Sequence, residues 1–198
     1  MVEQSSLPKL DKPGAGVPWG EALLFKYYVG PFVAARSDWD KNWKSFDLIN
    51  RKILAIAETL TDEKLATRML IPRLQGIEDS SRYWSVAMTL EHLVIVGNAL
   101  TDIIKSLGNN IVPPVKVNTA HVKPKGLHAP QTDIHDFRHF AEAARPTIEQ
   151  ALRLPVSRLH KLDHPWFGPF DPLQWQWLLA THSLIHYRQI KAIVAQLR

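Results

Sequence analysis

The chain has 198 residues, a length that fits one domain built around a single hydrophobic core. Its 45% apolar and 22% charged residues exclude a disordered or collagen-like chain, and the absence of cysteine excludes disulfides, thiolate metal sites and a thiol nucleophile. The net charge of +5 is spread over separate segments, so we expect a solvated basic surface and no nucleic-acid partner.

Residues 1–37 carry four prolines and several glycines around one apolar patch, Trp19 to Val33. The patch is too interrupted for a long helix, and we predict an N-terminal extension packed on the domain. Lys26, Gly30 and Pro31 break it, which argues against a signal peptide or a membrane span. Without these signals and without cysteine, we expect a cytoplasmic protein that does not bind membranes.

Apolar residues at helical spacing predict a first long helix from about Trp39 to Leu60 and a second from about Ser85 to Leu107, with Gly108 as its stop. Asp62 marks a further short turn between them. Residues 108–131 are too long and too rich in proline for a hairpin loop, so they suit a crossover.

A third helix is predicted from about Thr132 to the residues before Pro155, with a kink or a late restart at Pro146. Asp171 and Gln174 form a capping box that begins a fourth helix, which runs to about Leu197. The fold class is therefore all-α: a four-helix bundle over residues 38–198, with a long crossover between helices two and three and the N-terminal extension.

The chain has nine histidines, and for those on helices the helical wheel predicts which face the core and which face solvent. His182 and His186 lie within about 30° of the apolar centre of the fourth helix, four residues apart, so their rings can reach one ion. His92 lies at the edge of the apolar stripe of the second helix and is the candidate third ligand. His135 and His139 lie more than about 120° from the apolar centre of their helix, and we expect them in solvent.

The remaining histidines fall in predicted loops, where surface exposure is the default. These residues are His121, His128, His160 and His164. His164 lies shortly before the cap of the fourth helix and can line the mouth of a cavity.

Three short motifs resemble the DinB-like superfamily. They are Tyr83-Trp84-Ser85 followed by Leu90-Glu91-His92-Leu93, then His164-Pro-Trp-Phe-Gly-Pro-Phe, then Thr181-His182-Ser183-Leu184-Ile185-His186-Tyr187-Arg188-Gln189-Ile190. The resemblance covers about residues 39–197 and leaves residues 1–37 without a role. It implies a four-helix bundle holding one divalent transition metal, usually zinc or nickel, on His92, His182 and His186. Characterised relatives include thiol transferases and a thiol-dependent isomerase.

Three neutral imidazoles leave an open position on the ion, which is typical of a catalytic site. We therefore favour an enzyme that activates a low-molecular-weight thiol or water for transfer to, or hydrolysis of, a small electrophile. The alternative is a metal-stabilised binding or stress-response module without turnover. A di-iron carboxylate bundle needs Glu-x-x-His on two helices, and this chain has none. The sequence does not decide whether the protein forms a homodimer.

Several residues beside the histidines are candidates for substrate binding or for orienting the ligands. Arg188 and Gln189 can hold an anionic cosubstrate or support the metal ligands. The tryptophans near the motifs can wall a cavity; these residues are Trp84, Trp166, Trp175 and Trp177. The alternative interpretation is that they are core aromatics and a surface arginine.

Overall fold

The computed structural model describes residues 9–153 and 155–197. Within these residues there are six α-helices and four short strands. The helices are α1 (Trp19–Leu24), α2 (Trp39–Ala57), α3 (Asp62–Ala66), α4 (Val86–Gly108), α5 (Pro130–Ala151) and α6 (Pro172–Val194). The strands are β1 (Met69–Leu70), β2 (Tyr83–Trp84), β3 (Leu162–His164) and β4 (Gly168–Phe170).

The long helices α2, α4, α5 and α6 form a bundle around one hydrophobic core, which confirms the predicted fold class. Helix α4 packs against both α5 and α6, and α2 packs mainly against α6. Side chains begin the helices as the sequence indicates: Ser85 accepts a hydrogen bond from the amide of Met88, and Asp171 forms a capping box with Gln174.

Helix α4 is the most apolar element, and its composition and length would allow it to cross a membrane. In the structure 67% of its most apolar window is buried inside the protein. Its apolar residues face α5 and α6, so the bundle core accounts for its hydropathy.

Two helix-ending predictions need correction. Gly108 is still helical, and the residue in the left-handed region is Asn110 at φ 61°. The late restart expected at Pro146 is wrong, because helix α5 continues through this residue to Ala151, whereas the kink stays a prediction. Pro146 is exposed, so water can bond the carbonyl that its missing N–H leaves free.

At Gly97, α4 packs closely against the Phe140 ring of α5. A Cβ atom there would lie 2.1 Å from Cζ of Phe140, whose ring is buried. We expect Gly97→Ala to lower the free energy of unfolding by about 1–2 kcal/mol, because overpacking outweighs the better helix propensity of alanine. Thermal unfolding checks this, with exposed Asn98→Ala as the control; an unchanged melting temperature in Gly97→Ala would contradict it.

Two small antiparallel hairpins, which the sequence analysis did not predict, precede the helices that carry the histidines. Met69 pairs with Trp84 just before α4, and His164 pairs with Gly168 just before α6. Gly168 has φ 78°, a conformation that other residues rarely adopt. The hairpins therefore fix Trp84 and His164 next to the starts of α4 and α6.

The N-terminal segment is more regular than predicted. The chain is helical from Trp19 to Arg36, but it passes from α1 into a π-helix (Phe25–Val33) and then a 3₁₀ turn (Ala34–Arg36). Glu21 pairs with Arg73 and accepts a hydrogen bond from the amide of Gly76. Residues 19–36 thus pack on the bundle; the domain boundary near residue 37 stays a prediction, and residues 1–8 lie outside the described part.

The crossover between α4 and α5 is held against the bundle by two buried carboxylates. Glu91 accepts hydrogen bonds from the amides of Lys125 and Gly126 at 3.0 and 2.8 Å. Glu78 forms an ion pair with Lys123 at 2.6 Å. The crossover therefore lies at a defined position beside the N-terminal half of α4.

Candidate metal centre

His92 on α4 and His182 and His186 on α6 bring their rings together inside the bundle. The Nε2 atom of His182 lies 3.2 Å from Nε2 of His92 and 3.1 Å from Nε2 of His186. Their ring centroids are 4.4–5.1 Å apart. The three predicted side chains therefore converge on one point, and they could hold a metal ion.

The other ring nitrogens of two of these histidines have fixed acceptors. Nδ1–H of His92 donates to the carbonyl of Val122 at 2.7 Å, and Nδ1–H of His186 donates to Oε1 of Gln189 at 2.7 Å. The amide group of Gln189 is oriented in turn, because its Nε2 donates to the carbonyl of Ser81 at 2.7 Å. Both Nε2 atoms are therefore unprotonated acceptors that face the same point.

The unprotonated Nε2 atoms of His92 and His186 both face Nε2 of His182, so they can share either a proton on that nitrogen or a metal ion. Metal–nitrogen bonds of about 2.0–2.1 Å place neighbouring ligand nitrogens about 3.0–3.4 Å apart, which matches the observed separations. The neutral nitrogen donors suit zinc or nickel better than magnesium or calcium, which prefer oxygen. The donor set thus fits the divalent transition metal that the sequence predicts.

The three histidines are neutral at physiological pH. Burial, and secondly the charge of His186, hold the pKa of His92 well below its usual value. Burial and the neighbouring histidines lower the pKa of His182 in the same way. Burial lowers the pKa of His186 to about 4, against the hydrogen bond from its ring to Gln189. A cation therefore releases no net proton from these rings when it binds near pH 7.

Trp84 forms one wall of the histidine cluster. Its ring lies 4.9 Å from that of His92 and is nearly parallel to the ring of His186, at 6.1 Å. The Nζ atom of Lys123 also lies over the indole, 5.6 Å from its centroid. Trp84 therefore shields the cluster from solvent and limits the rotation of two of its rings.

A cavity of about 430 Å³ opens beside the cluster, and all three histidines line it. His164 and Trp166 from the second hairpin line it too, together with Phe25 from the N-terminal segment. The volume is within the usual range for a small-molecule site. The predicted cavity residues His164, Trp166 and Trp175 are therefore at the cavity, and Trp177 packs behind it on Phe167 and Phe170.

His164 faces the cavity in a defined tautomer. Its Nδ1 accepts a hydrogen bond of 3.1 Å from the amide of Trp166, so the ring proton is on Nε2. Burial among aromatic rings lowers its pKa to about 3. Like the three clustered histidines, His164 is therefore neutral at neutral pH, and its Nε2–H is a hydrogen-bond donor.

Other candidate residues lie away from the cavity. Arg188 is exposed and is not among the described residues that line it, whereas neighbouring Gln189 is fully buried against His186. His135 and His139 are exposed on α5, as predicted. Among the described carboxylates only Asp102 lines the cavity, ten residues beyond His92 and about 15 Å further along α4.

Sequence reasoning missed the groups that orient the ligands. The acceptor for His92 is a backbone carbonyl, which carries no sequence signal. Lys123 lies near the cluster through its pairing with Glu78, a contact between distant segments. The sequence did contain one signal: Glu91 is a charged residue at a buried position of α4. A buried carboxylate needs hydrogen-bond donors, and the crossover supplies them.

Gln189 is expected to contribute to metal affinity without touching the ion. Gln189→Leu removes the acceptor for His186 and leaves the carbonyl of Ser81 without its donor. We expect zinc affinity to fall about 10–100-fold, the usual effect of losing a group that orients a ligand. Competition with a chromophoric chelator measures the zinc affinity. Gln196→Leu, which replaces an exposed glutamine near the C-terminus, is the control. Equal affinities for the two variants would refute the assigned role.

Comparison with known proteins agrees with this fold and identifies a family. No curated protein matches the chain. A solved structure described as "TT2238, a four-helix bundle protein" superposes with a TM-score of 0.51 at 18% identity, covering 78% of this chain and 99% of the other, which supports the fold alone. The sequence profile of the DinB superfamily matches residues 45–190, which include all three histidines. The chain belongs to the DinB superfamily.

Proposed function

We propose that this protein is a metal-dependent enzyme that activates a small thiol, or water, for attack on a small electrophile. One observation carries the proposal: three neutral imidazoles present their Nε2 atoms to one point on the wall of a cavity large enough for a ligand. A divalent metal bound there would lower the pKa of a thiol or water towards neutrality.

The surroundings favour the thiol over water as nucleophile. Glu91, the carboxylate next to His92 in sequence, is bonded to the crossover amides and is unavailable as a base. A thiol ionises close to neutral pH and needs no such base, whereas hydrolysis also needs a group that moves protons to the leaving group. In the transfer, the thiolate sulfur bonds to the electrophilic carbon, the leaving group departs with the electron pair, and the thiol proton goes to solvent.

His164 has a distinct role in this proposal. Its Nε2–H can donate a hydrogen bond to a polar atom of the electrophile that develops negative charge. With a pKa of about 3 it stays neutral near pH 7, so it adds no positive charge beside the metal site. His164→Phe would keep the aromatic packing and remove the donor, and we expect it to lower kcat more than metal content.

The experiment that tests the proposal uses metal-loaded protein with a panel of thiols and alkylating electrophiles. We expect metal-dependent thiol consumption by the wild type and by His139→Ala, an exposed histidine variant, but not by His182→Ala. Equal rates for all three proteins would refute catalysis at this site. Metal binding and stabilisation without turnover across the panel would favour the non-catalytic module instead.

A further inference from the structure

The cavity extends well beyond the histidines, and its extension is apolar. From His92, one face of α4 lines it at a spacing of three to four residues, with Val96, Leu100 and Ile103. Ile103 lies eleven residues after His92, which is about 16 Å along a helix. The cavity is therefore elongated, with the metal ligands near one end.

The crossover forms the opposite wall. Pro113, Val115 and Val117 line the cavity across from α4. Asp102, Ser106 and Lys116 line the end far from the histidines. The other polar lining residues already hydrogen-bond within the protein through their side chains; they are Ser81, Asn118, Thr119 and His121. A ligand lying between these ends meets mostly aliphatic groups, and a polar chain there would lose its hydration without gaining hydrogen bonds.

We propose that the electrophilic substrate carries a linear apolar chain that lies between α4 and the crossover, with its reactive head at the histidines. This inference rests on the proposed function for the position of the head. The chain itself is recognised by burial of methylene groups, which does not need the metal. A small polar electrophile would leave most of the cavity without contacts.

Chain recognition can be measured in metal-free protein with a series of n-alcohols from butanol to decanol, using isothermal titration calorimetry. Each added methylene buried against α4 is expected to tighten binding about three- to fourfold. An affinity that does not change with chain length would overturn the proposal. Because no metal and no reaction are involved, this result is independent of the turnover assay: chain binding without turnover would refute only the proposed function.

Two matched pairs of variants locate the binding site. Val96→Trp fills the cavity one turn from His92, whereas Asn98→Trp adds the same ring at an exposed position of α4 outside the cavity lining. We expect Val96→Trp to weaken decanol binding at least tenfold and Asn98→Trp to bind as the wild type. Circular dichroism checks that both are folded. Equal binding by the two folded variants would overturn the proposal.

The second pair avoids the helices, so it decides the question if Val96→Trp fails to fold. Val115 and Val112 are both on the crossover and are 51% and 49% exposed, but only Val115 lines the cavity. Val115→Asp places a charge on the apolar wall and should weaken decanol binding about threefold or more. Val112→Asp should leave it unchanged. Identical affinities for the two aspartate variants would overturn the proposal.

Discussion

His182→Ala is expected to abolish stoichiometric metal binding, because its Nε2 lies between those of His92 and His186. With two imidazoles left, affinity falls by more than the 10–100-fold expected for a group that only orients a ligand. Elemental analysis of protein purified without chelator should find about one zinc or nickel per chain in the wild type and almost none in the variant.

The same variant should lose the thermal response to metal. Zinc at 100 times its dissociation constant stabilises a folded protein by about 2.7 kcal/mol, which corresponds to roughly 5–10 °C in a chain of this size. The wild type should show this rise and His182→Ala should not. His139→Ala removes an exposed histidine and should behave as the wild type. Equal metal content and equal shifts in all three proteins would show that the cluster is not the metal site.

Metal-free protein is expected to lose stability steeply when the pH falls below 6.5. His92, His164, His182 and His186 are held neutral in the folded state, chiefly by burial, with pKa values of about 3 for His164 and about 4 for His186. An unfolded histidine titrates near pH 6.5, so unfolding takes up protons between that pH and about 4. Acid therefore favours unfolding, by up to about 1.4 kcal/mol per pH unit for each buried histidine.

Urea unfolding of metal-free protein at pH 7.5, 6.5 and 5.5 measures this dependence. His164→Phe is the informative variant, since it removes one titrating ring from a pocket of aromatic side chains. Its free energy of unfolding should fall less steeply with acid than that of the wild type. Carboxyl groups titrate at lower pH, so they contribute little in this range. A wild-type stability that is constant from pH 7.5 to 5.5 would contradict the burial of neutral rings.

The parts of the fold that follow from local rules were predictable from the sequence. Ser85 and Asp171 begin α4 and α6 because their side chains cap free amides, and apolar periodicity selects the buried helix faces. The same periodicity turns His182 and His186 inward and leaves His135 and His139 in solvent. The convergence of His92 with the α6 pair depends on tertiary packing, which helical periodicity does not predict. The order of the family motifs nevertheless indicated it.

The remainder depends on contacts between segments far apart in sequence. The crossover takes its position from Glu91 and Glu78, which bond to backbone and side-chain groups more than thirty residues away. No periodic pattern marks such contacts, so neither the cavity wall nor the acceptor for His92 was predictable. The hairpins are too short for an alternating pattern to identify them. The helical N-terminal segment places Phe25 in the cavity wall, beyond the residues that match the superfamily.

The two ligand-orienting hydrogen bonds have different consequences for evolutionary divergence. The ring of His92 is held by the backbone carbonyl of Val122, which every amino acid would supply, so a different side chain at this position would leave the bond in place. The ring of His186 is held by a side-chain amide that also bonds Ser81, and few replacements offer both an acceptor and a donor there. Diverging relatives that keep the histidines should therefore retain glutamine at position 189 more strictly than valine at position 122.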